Sequence, residues 1–315
     1  MSTYLVTGGA GFIGSNLVEE LLKREQNVRI IDDFSTGREE NLKDFISHIE
    51  LVEGDIRNQA TVERAVKGVD FVLHQAALAS VQRSIDNPEA TNQVNVQGTL
   101  NLLDAAKNHA VKRFVYASSS SAYGDSEALP KVETMETNPK SPYAVSKLAA
   151  EWYCRVYSSV FKMPTVSLRY FNVFGPRQDP NSQYSAVIPL FIRALLHQEQ
   201  ATIYGDGEQS RDFTYIQNVV NANLLACEAD VAGGEVFNIA CNDRVSLNDL
   251  YAQLKKIIGV NIEPKFGPER RGDVKHSQAN IDRIMKALNY RIAVGFTEGL
   301  ERTVRWYEQG GVGRT

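Results

Sequence analysis

The sequence predicts an α/β fold, in which a doubly wound parallel sheet is followed by a smaller mixed α/β domain. Short β-branched runs alternate with amphipathic segments in the first half of the 315 residues, and this alternation is lost after Tyr170. Strand, helix and strand in such an alternation connect through right-handed crossovers, so the strands run parallel and both faces are covered. We expect residues 1–170 to form the first domain and 171–315 the second, with some later segments returning to the first.

The predicted strands are rich in β-branched and aromatic residues and span residues 4–7, 28–32, 49–53, 71–74, 114–117 and 166–169. The predicted helices between them have apolar residues at helical spacing and span residues 12–23, 61–66, 94–108 and 143–161. In the second half, prolines and glycines separate shorter elements. Further helices are expected there at 247–258 and 281–288, with a last one ending near Glu308.

Composition limits the class of protein. With 43% hydrophobic and 23% charged residues, the chain can bury a large core. A net charge of -4 removes the general attraction that a nucleic-acid or anionic-membrane binder needs, so we expect neither partner and instead a small anionic ligand. The three cysteines, odd in number, fit reduced thiols. No long apolar stretch or cleavage site is evident, so a cytoplasmic location is expected, and no metal site is predicted.

A glycine-rich turn follows the first predicted strand. It contains four glycines, whose missing side chains permit a tight turn, the close approach of a pyrophosphate and close packing of the next helix: Gly8, Gly9, Gly11 and Gly14. The next helix would point its N-terminus at the phosphates. Asp32 ends the second strand, where an acid accepts hydrogen bonds from the adenosine ribose and repels a 2′-phosphate, which favours NAD over NADP. The alternative is a structural turn with a solvated Asp, but the strand, helix and acid together favour a Rossmann-type dinucleotide site.

Tyr143 and Lys147 lie four residues apart on one face of a predicted helix, so the ammonium can stabilise a phenolate. This spacing alone is weak evidence, but Pro142 suits a helix start and residues 118–121 place four serines at the end of the fifth strand. The serines have no evident packing role, although a polar loop or helix cap is the alternative. Tyrosine acts as a base near neutral pH only if its pKa falls from about 10 toward 7. Such a fall requires about 4 kcal/mol of preferential stabilisation of the phenolate. Lys147 and a positive nicotinamide are the expected sources, which predicts an alcohol-oxidising NAD enzyme.

The same helix has apolar residues on more than one side. One face carries Tyr143, Lys147 and Glu151. Apolar side chains spread around the others at Val145, Leu148, Trp152, Val156 and Val160. The sheet can cover only one side, so we predict a homodimer through a helix bundle of residues 143–161 and 94–108. The alternative is that the chain's own second domain covers the other side.

Six motifs together resemble one known family. They are TGGAGFIG at 7–14, SSSS at 118–121 with Tyr123 and Gly124, YAVSK at 143–147, RYFNVFGP at 169–176, SRDF at 210–213 and RRGDVKHS at 270–277. The chain resembles the extended short-chain dehydrogenase/reductase family over almost its whole length. Within it, the chain is most similar to nucleotide-sugar 4-epimerases that act on UDP-N-acetylglucosamine.

This resemblance implies roles for individual residues. Ser119 and Tyr143 would hydrogen-bond the sugar 4-hydroxyl, and Lys147 would hold the nicotinamide ribose, which makes these three the catalytic group. The implied cofactor-binding residues are Gly8, Gly11, Phe12, Ile13, Gly14, Asp32, Asp55, Ile56, Gln75, Ala76, Ala77, Asn95, Tyr143, Lys147 and Phe171. The implied substrate-binding residues are Ser80, Ser119, Ser120, Ser121, Tyr143, Asn172, Val187, Tyr204, Arg211, Arg270, Asp273 and Ser277.

The resemblance also suggests how the substrate is read. Arg211 and Arg270 would grip the diphosphate, which suits the forked guanidinium, and Asp273 would reach the uridine ribose. The alternative for the arginines is surface ion pairing, for instance of Arg211 with Asp212. Galactose epimerases often have a bulky Tyr four residues after this Asp, where this chain has Ser277. A small residue leaves room for an N-acetyl group.

The expected function is NAD-dependent 4-epimerisation of UDP-N-acetylglucosamine and UDP-N-acetylgalactosamine through a transient 4-keto sugar, with UDP-glucose and UDP-galactose as further candidates. A UDP-glucuronate 4-epimerase, or another NAD-dependent enzyme that modifies nucleotide sugars, is an alternative. Dehydratases and decarboxylases need an additional acid beside the active-site hydroxyl, which residues 119–122 lack. An alternative from another class is a non-catalytic protein that senses NAD, against which the intact Ser119, Tyr143 and Lys147 argue.

Overall fold

The computed structural model describes residues 1–180, 186–269 and 275–311. The strands found there are β1 (Thr3–Thr7), β2 (Asn27–Asp32), β3 (Glu50–Glu53), β4 (Phe71–His74), β5 (Arg113–Ser119), β6 (Thr165–Tyr170), β7 (Val173–Phe174), β8 (Thr202–Tyr204), β9 (Ser210–Arg211), β10 (Thr214–Tyr215), β11 (Glu235–Ile239), β12 (Val245–Ser246) and β13 (Lys265–Gly267).

The α-helices of the same ranges are α1 (Phe12–Lys23), α2 (Gln59–Val66), α3 (Val81–Asp86), α4 (Pro88–Asn92), α5 (Gly98–Asn108), α6 (Pro142–Phe161), α7 (Val187–Leu196), α8 (Ile216–Glu228), α9 (Leu247–Ile258), α10 (Asp282–Leu288) and α11 (Phe296–Glu308). A π-helical turn, Gln93–Gln97, joins α4 to α5. Short 3-10 turns occupy Glu39–Asn41, Ile46–His48 and Ser120–Tyr123.

Within the described residues, seven strands form one sheet in the order β11-β6-β5-β4-β1-β2-β3, and neighbouring strands all pair in parallel. The chain reverses direction across the sheet between β3 and β4, so a crevice opens at the carboxyl ends of β1 and β4. The predicted α/β fold with a doubly wound parallel sheet is confirmed.

Successive side chains of each strand point to opposite faces of the sheet, and helices bury both faces. Val6 and Val115 belong to a core cluster that also contains apolar residues of α1 and α8. Leu5 and Phe114, one position away in each strand, belong to a second cluster with residues of α2, α5 and α6. Burying one such side chain contributes about 1.5–3 kcal/mol, so the two clusters hold the helices on the sheet.

Most of the predicted elements are present with shifted ends, but helices α3, α4, α7 and α8 and the strands after β6 were not predicted. Helix α7 was missed because Pro189 suggested a break; it lies in the first turn, where its missing N–H has no helical partner to lose. Helix α8 was missed because it is buried around most of its circumference and its apolar residues therefore do not form one clear stripe. Strand β11 was missed as well. The predicted helix at 94–108 begins instead with the π-helical turn.

The smaller second part contains two-stranded pairings of β7 with β10, β8 with β13 and β9 with β12. Later segments also return to the large sheet, since β11 pairs with β6 and α8 packs on β5 and β6. The division at residue 170 stays a prediction about domains. Among the helices of the described ranges, none is both long enough and apolar enough to cross a bilayer.

Candidate active site

A cavity of about 240 Å³ opens at the carboxyl edge of the large sheet. Among the residues that line it are Gly8, Gly11, Phe12, Ile13, Gly14, Asp32, Asp55, Ile56, Gln75, Ala76 and Ala77, all predicted to bind the cofactor. The glycine-rich turn needs its glycines here. Gly8 has a φ of +66°, and a side chain on it would come within 2.9 Å of the Ala76 backbone.

Two polar features of this cavity fit a dinucleotide. Helix α1 begins after Gly11, which has no side chain to cap the first-turn N–H groups, so these groups can face a pyrophosphate. Asp32 is buried and accepts hydrogen bonds from the amides of Ala10 and Phe34, each at 2.9 Å. Burial raises the pKa of Asp32, and the two amide hydrogen bonds oppose that rise. The carboxylate is therefore fixed at the place where an adenosine ribose would lie.

The predicted catalytic residues meet at the start of α6 and the end of β5. Ser141 caps α6 by accepting a hydrogen bond from the Ala144 amide, and Tyr143 follows in the first turn. The Lys147 ammonium donates to the Ala117 carbonyl at 2.7 Å. At the end of β5, the Ser119 hydroxyl oxygen accepts hydrogen bonds from the amide and the hydroxyl of Ser121, at 3.2 and 2.9 Å.

The protonation states differ from the expectation. Burial raises the pKa of Tyr143, and the hydrogen bond with Ser119 opposes this rise. Burial also lowers the pKa of Lys147 to about 7. The protein's own side chains therefore do not bring the Tyr143 pKa down, because the interior disfavours both the phenolate and the ammonium. In the protein without NAD, burial outweighs the Ser119 hydrogen bond, and the expected lowering of the Tyr143 pKa by Lys147 and a positive nicotinamide stays a prediction.

Ser118 corrects the interpretation of the four serines. Its hydroxyl is buried and donates to Glu151 Oε2 at 2.7 Å, so this serine serves packing. Glu151 in turn holds the Arg169 guanidinium at both carboxylate oxygens, with Nη2 at 2.7 Å and Nε at 2.9 Å. Both ionic side chains are buried, and Arg169 lies over the Tyr123 ring. A signal for this pair is visible in the sequence, since Glu151 lies one helical turn after Lys147 and Arg169 is a charged residue inside an apolar strand.

A second cavity, of about 500 Å³, lies between α7 and the small strands. The predicted substrate residues Asn172, Val187, Tyr204 and Arg211 line it. Asn172 has a φ of +31°, and positive φ in a residue other than glycine often marks a functional position. Its side-chain amide donates to the Asp212 carbonyl at 3.2 Å and lies 3.5 Å from the Ser277 hydroxyl.

Asp212 does not fit the alternative of a surface ion pair with Arg211. Its carboxylate is fully buried and accepts hydrogen bonds from the amides of Cys241 and Ala279, at 2.8 and 3.1 Å. Burial raises the pKa of Asp212 to about 7, although these amides oppose the rise. Asp212 therefore ties the segment of Arg211 to the segment that carries Ser277.

The other predicted site residues lie nearby or outside the described ranges. Ser80 caps α3 by accepting from the Arg83 amide at 3.1 Å. Ser120 and Ser121 belong to the 3-10 turn after Ser119. Phe171 and Asn95 are buried and do not line the first cavity. Arg270 and Asp273 lie outside the described residues.

Comparisons with known proteins agree with this geometry. A model of the NAD dependent epimerase/dehydratase family matches residues 4–240. The chain belongs to this family. The UDP-glucose 4-epimerase of Mycolicibacterium smegmatis is 36% identical over 312 residues, covering 96% of this chain and 97% of the relative.

Two solved structures are similar along nearly the whole chain. UDP-N-acetylglucosamine 4-epimerase from Methanobrevibacter ruminantium, in complex with UDP-N-acetylmuramic acid, has a TM-score of 0.94 and 40% identity and covers 98% of both chains. UDP-glucose 4-epimerase from Thermotoga maritima, with UDP-glucose, has a TM-score of 0.93 and 36% identity, covering 98% of this chain and 99% of that one. The predicted enzyme class, an NAD-dependent nucleotide-sugar 4-epimerase and hence an isomerase, is confirmed, as is NAD as the cofactor.

Proposed function

We propose that the enzyme interconverts UDP-N-acetylglucosamine and UDP-N-acetylgalactosamine, with UDP-glucose and UDP-galactose as further substrates. The short side chain of Ser277 carries this proposal. Its hydroxyl lies 3.5 Å from the side-chain amide of Asn172, which lines the 500 Å³ cavity, and a serine there would leave room for an acetamido group that a Tyr would block. The 40% identity to a UDP-N-acetylglucosamine 4-epimerase supports the same sugar.

The chemistry follows from the hydroxyls at the end of β5. The Ser121 hydroxyl donates to Ser119, which leaves the Ser119 proton for Tyr143, so this row of hydroxyls can stabilise a phenolate. Tyr143 would then take the proton of the sugar 4-hydroxyl and later return it. When bound, NAD would supply the acceptor for the C4 hydride of the sugar and the source of the hydride that returns to C4. The transient 4-keto sugar would turn within the pocket before reduction on its other face.

Retaining the keto sugar requires binding far from C4. Val187, Tyr204 and Arg211 line the larger cavity, and we propose that they hold the UDP part. Arg211 Nη1 donates to the carbonyls of Ser210 and Lys275, at 3.0 and 3.1 Å, which holds its guanidinium at the wall of this cavity. A UDP anchored there leaves the sugar able to rotate without leaving the protein.

The direct test is incubation with UDP-N-acetylglucosamine, UDP-glucose and UDP-glucuronate in separate reactions, followed by chromatographic separation of the epimers. The proposal expects the highest kcat/KM with the acetylated sugar. Turnover of UDP-glucuronate alone would instead identify a uronate epimerase. Failure of all three sugars to epimerise or to reduce bound NAD would favour an NAD-sensing protein.

Replacing Ser277 by tyrosine should lower kcat/KM for UDP-N-acetylglucosamine by about 100-fold or more, because the ring would occupy the acetamido space. Activity toward UDP-galactose in the same variant is the matched control, since that sugar has no acetamido group. We expect it to change by less than about fivefold. Equal losses with both sugars, or no loss with either, would contradict the role of Ser277.

We also propose that the enzyme is a homodimer. The apolar side chains that the sequence placed on the far side of α6 are exposed: Trp152 is 52% and Val160 63% accessible. Residues 171–180, 186–269 and 275–311 of the second part therefore leave this face uncovered. The predicted contribution of residues 94–108 to the helix bundle stays a prediction, since Leu102 and Leu103 of α5 are buried in the core. Exposed apolar side chains also come from α3, which packs on α6. The exposed large apolar residues of α3 and α6 are Val81, Ile85, Val145, Trp152, Tyr153, Val156, Val160 and Phe161.

Light scattering after size-exclusion chromatography should give twice the chain mass at micromolar concentration. Replacing Trp152 by glutamate should weaken the dimer at least tenfold, because a charge would be buried in the contact. Phe266, 60% exposed on β13, offers a matched control: its replacement by glutamate should leave the mass unchanged. A monomeric wild-type protein would contradict the dimer.

A further inference from the structure

His74 is a buried imidazole at the end of β4, behind the wall of the cofactor cavity. Its Nδ1 lies 2.7 Å from the Thr7 hydroxyl, and its Nε2 lies 2.8 Å from the Thr99 hydroxyl. These two threonines come from different parts of the fold, since Thr7 ends β1 and Thr99 lies in the first turn of α5. The imidazole therefore bridges the glycine-rich turn and the helix beyond the π-helical turn.

The surrounding hydrogen bonds fix the proton on this imidazole. The Thr99 hydroxyl donates to the Asn95 carbonyl at 2.6 Å, so it can only accept from His74 Nε2. The Thr7 oxygen already accepts from the amides of Gln75 and Ala76, at 3.1 and 3.0 Å, so its proton points to His74 Nδ1. The imidazole is therefore neutral, with its proton on Nε2.

A second proton on His74 would break this order. Nδ1–H would turn toward Thr7, whose oxygen already receives two amide hydrogen bonds, and the Thr7 proton would lose its acceptor. Burial agrees with the neutral form, because burial and, to a smaller extent, the nearby charge of Lys147 together lower the pKa of His74 to about 3. The hydrogen bonds thus run in one direction, from the Gln75 and Ala76 amides through Thr7, His74 and Thr99 to Asn95.

The two ends of this chain of hydrogen bonds reach both halves of the active site. Gln75 and Ala76 line the cofactor cavity. Asn95 holds the Leu78 amide at 2.8 Å, and Leu78 lines the same cavity. Asn95 also donates to the Ser146 hydroxyl at 3.0 Å, and Ser146 donates to the Tyr143 carbonyl. One network therefore connects the wall of the NAD site to the first turn of α6.

We propose that His74 is a positioning residue for NAD. Its imidazole accepts a hydrogen bond from the Thr7 hydroxyl and donates one to the Thr99 hydroxyl, and these two bonds hold residues 75–78 in place at the cofactor. It touches neither cofactor nor substrate itself. The opposing explanation is that His74 only fills space between Phe114 and Tyr116, whose ring centroids lie 5.7 and 5.6 Å away. The two explanations differ in what happens to NAD affinity when the shape is kept and one hydrogen bond is lost.

Three substitutions separate these explanations. H74F keeps an aromatic ring and loses both hydrogen bonds. H74N can keep an acceptor near the position of Nδ1, and H74Q can keep a donor near the position of Nε2. The dissociation constant for NAD is measured by calorimetry on protein from which the cofactor has been removed. The kcat with UDP-N-acetylglucosamine is measured at saturating NAD.

If His74 positions NAD, H74F should weaken NAD binding by about tenfold or more. The Thr7 hydroxyl would lose its hydrogen-bond acceptor, and residues 75–78 would lose their alignment with the cofactor. H74N should stay within about threefold of wild type, H74Q should fall between, and kcat should recover at saturating NAD. Wild-type NAD affinity in H74F, or equal weakening in H74F and H74N, overturns the proposal.

Threonine substitutions keep the test decisive if H74F does not fold. T7V removes the hydroxyl that donates to His74 and accepts from two amides, and it should weaken NAD binding at least as much as H74F does. T165V is the matched control: Thr165 is also a buried strand threonine, and its hydroxyl donates to the Cys154 carbonyl at 2.7 Å, away from the cavity. Weaker NAD binding in T7V with unchanged binding in T165V supports the proposal, whereas equal effects in both variants overturn it.

Discussion

Replacing Tyr143 by phenylalanine should lower kcat by about 1,000-fold, within the range of 10²–10⁴ that a positioned general base contributes. The phenol is the group that Ser119 hydrogen-bonds and that α6 fixes in its first turn. Removing only its oxygen preserves the packing and deletes the proton acceptor. The rate is measured with saturating UDP-N-acetylglucosamine and NAD, because KM for the sugar should change little.

Tyr153 provides the matched control on the same helix, since it is partly exposed and lies on the face away from the sheet. Its replacement by phenylalanine should leave kcat within about twofold. The Tyr143 variant should still bind NAD, which a calorimetric titration verifies. A Tyr143 variant that retains more than a tenth of the wild-type rate would require another proton acceptor.

Replacing Glu151 by alanine should reduce the free energy of unfolding by about 3–5 kcal/mol, because it leaves the Arg169 guanidinium buried without its carboxylate. Arg169 is 2% exposed and Glu151 1%, so water cannot take the place of the lost partner. The Ser118 hydroxyl would lose its acceptor as well. Urea denaturation of the purified protein measures the change.

Glu298 is the matched control for Glu151. It pairs with Arg302 across one turn of α11 at the surface, so its replacement by alanine should cost about 0.5 kcal/mol or less. A double variant with methionine at both Glu151 and Arg169 should be more stable than the single Glu151 variant, since no charge stays buried. Similar losses for the Glu151 and Glu298 single variants would contradict the importance of burial.

Local patterns were sufficient to predict six of the seven strands of the large sheet and much of the site. The turn from Gly8 to Gly14 and the acid at Asp32 are set by spacing within one strand-helix-strand unit, and Tyr143 with Lys147 by one helical turn. Such features depend on neighbours in the chain, which a sequence displays directly.

Features that depend on distant contacts were not predictable in the same way. The four serines look equivalent in the sequence, yet Ser118 points to Glu151 while Ser119 points to Tyr143. The rise in the Tyr143 pKa comes from burial, which is a property of the packed fold. Helix α8 was missed for a related reason, because an element enclosed on most sides carries no amphipathic signal.

The seventh strand of the large sheet has a consequence for the nascent chain. Strand β11 pairs with β6, although residues 171–234 separate the two strands along the chain. While the protein emerges from the ribosome, β6 must therefore wait with an open edge until Ile239 has left the exit tunnel. An open strand edge can pair with other chains, so the growing polypeptide is exposed to aggregation at this edge until β11 pairs with β6.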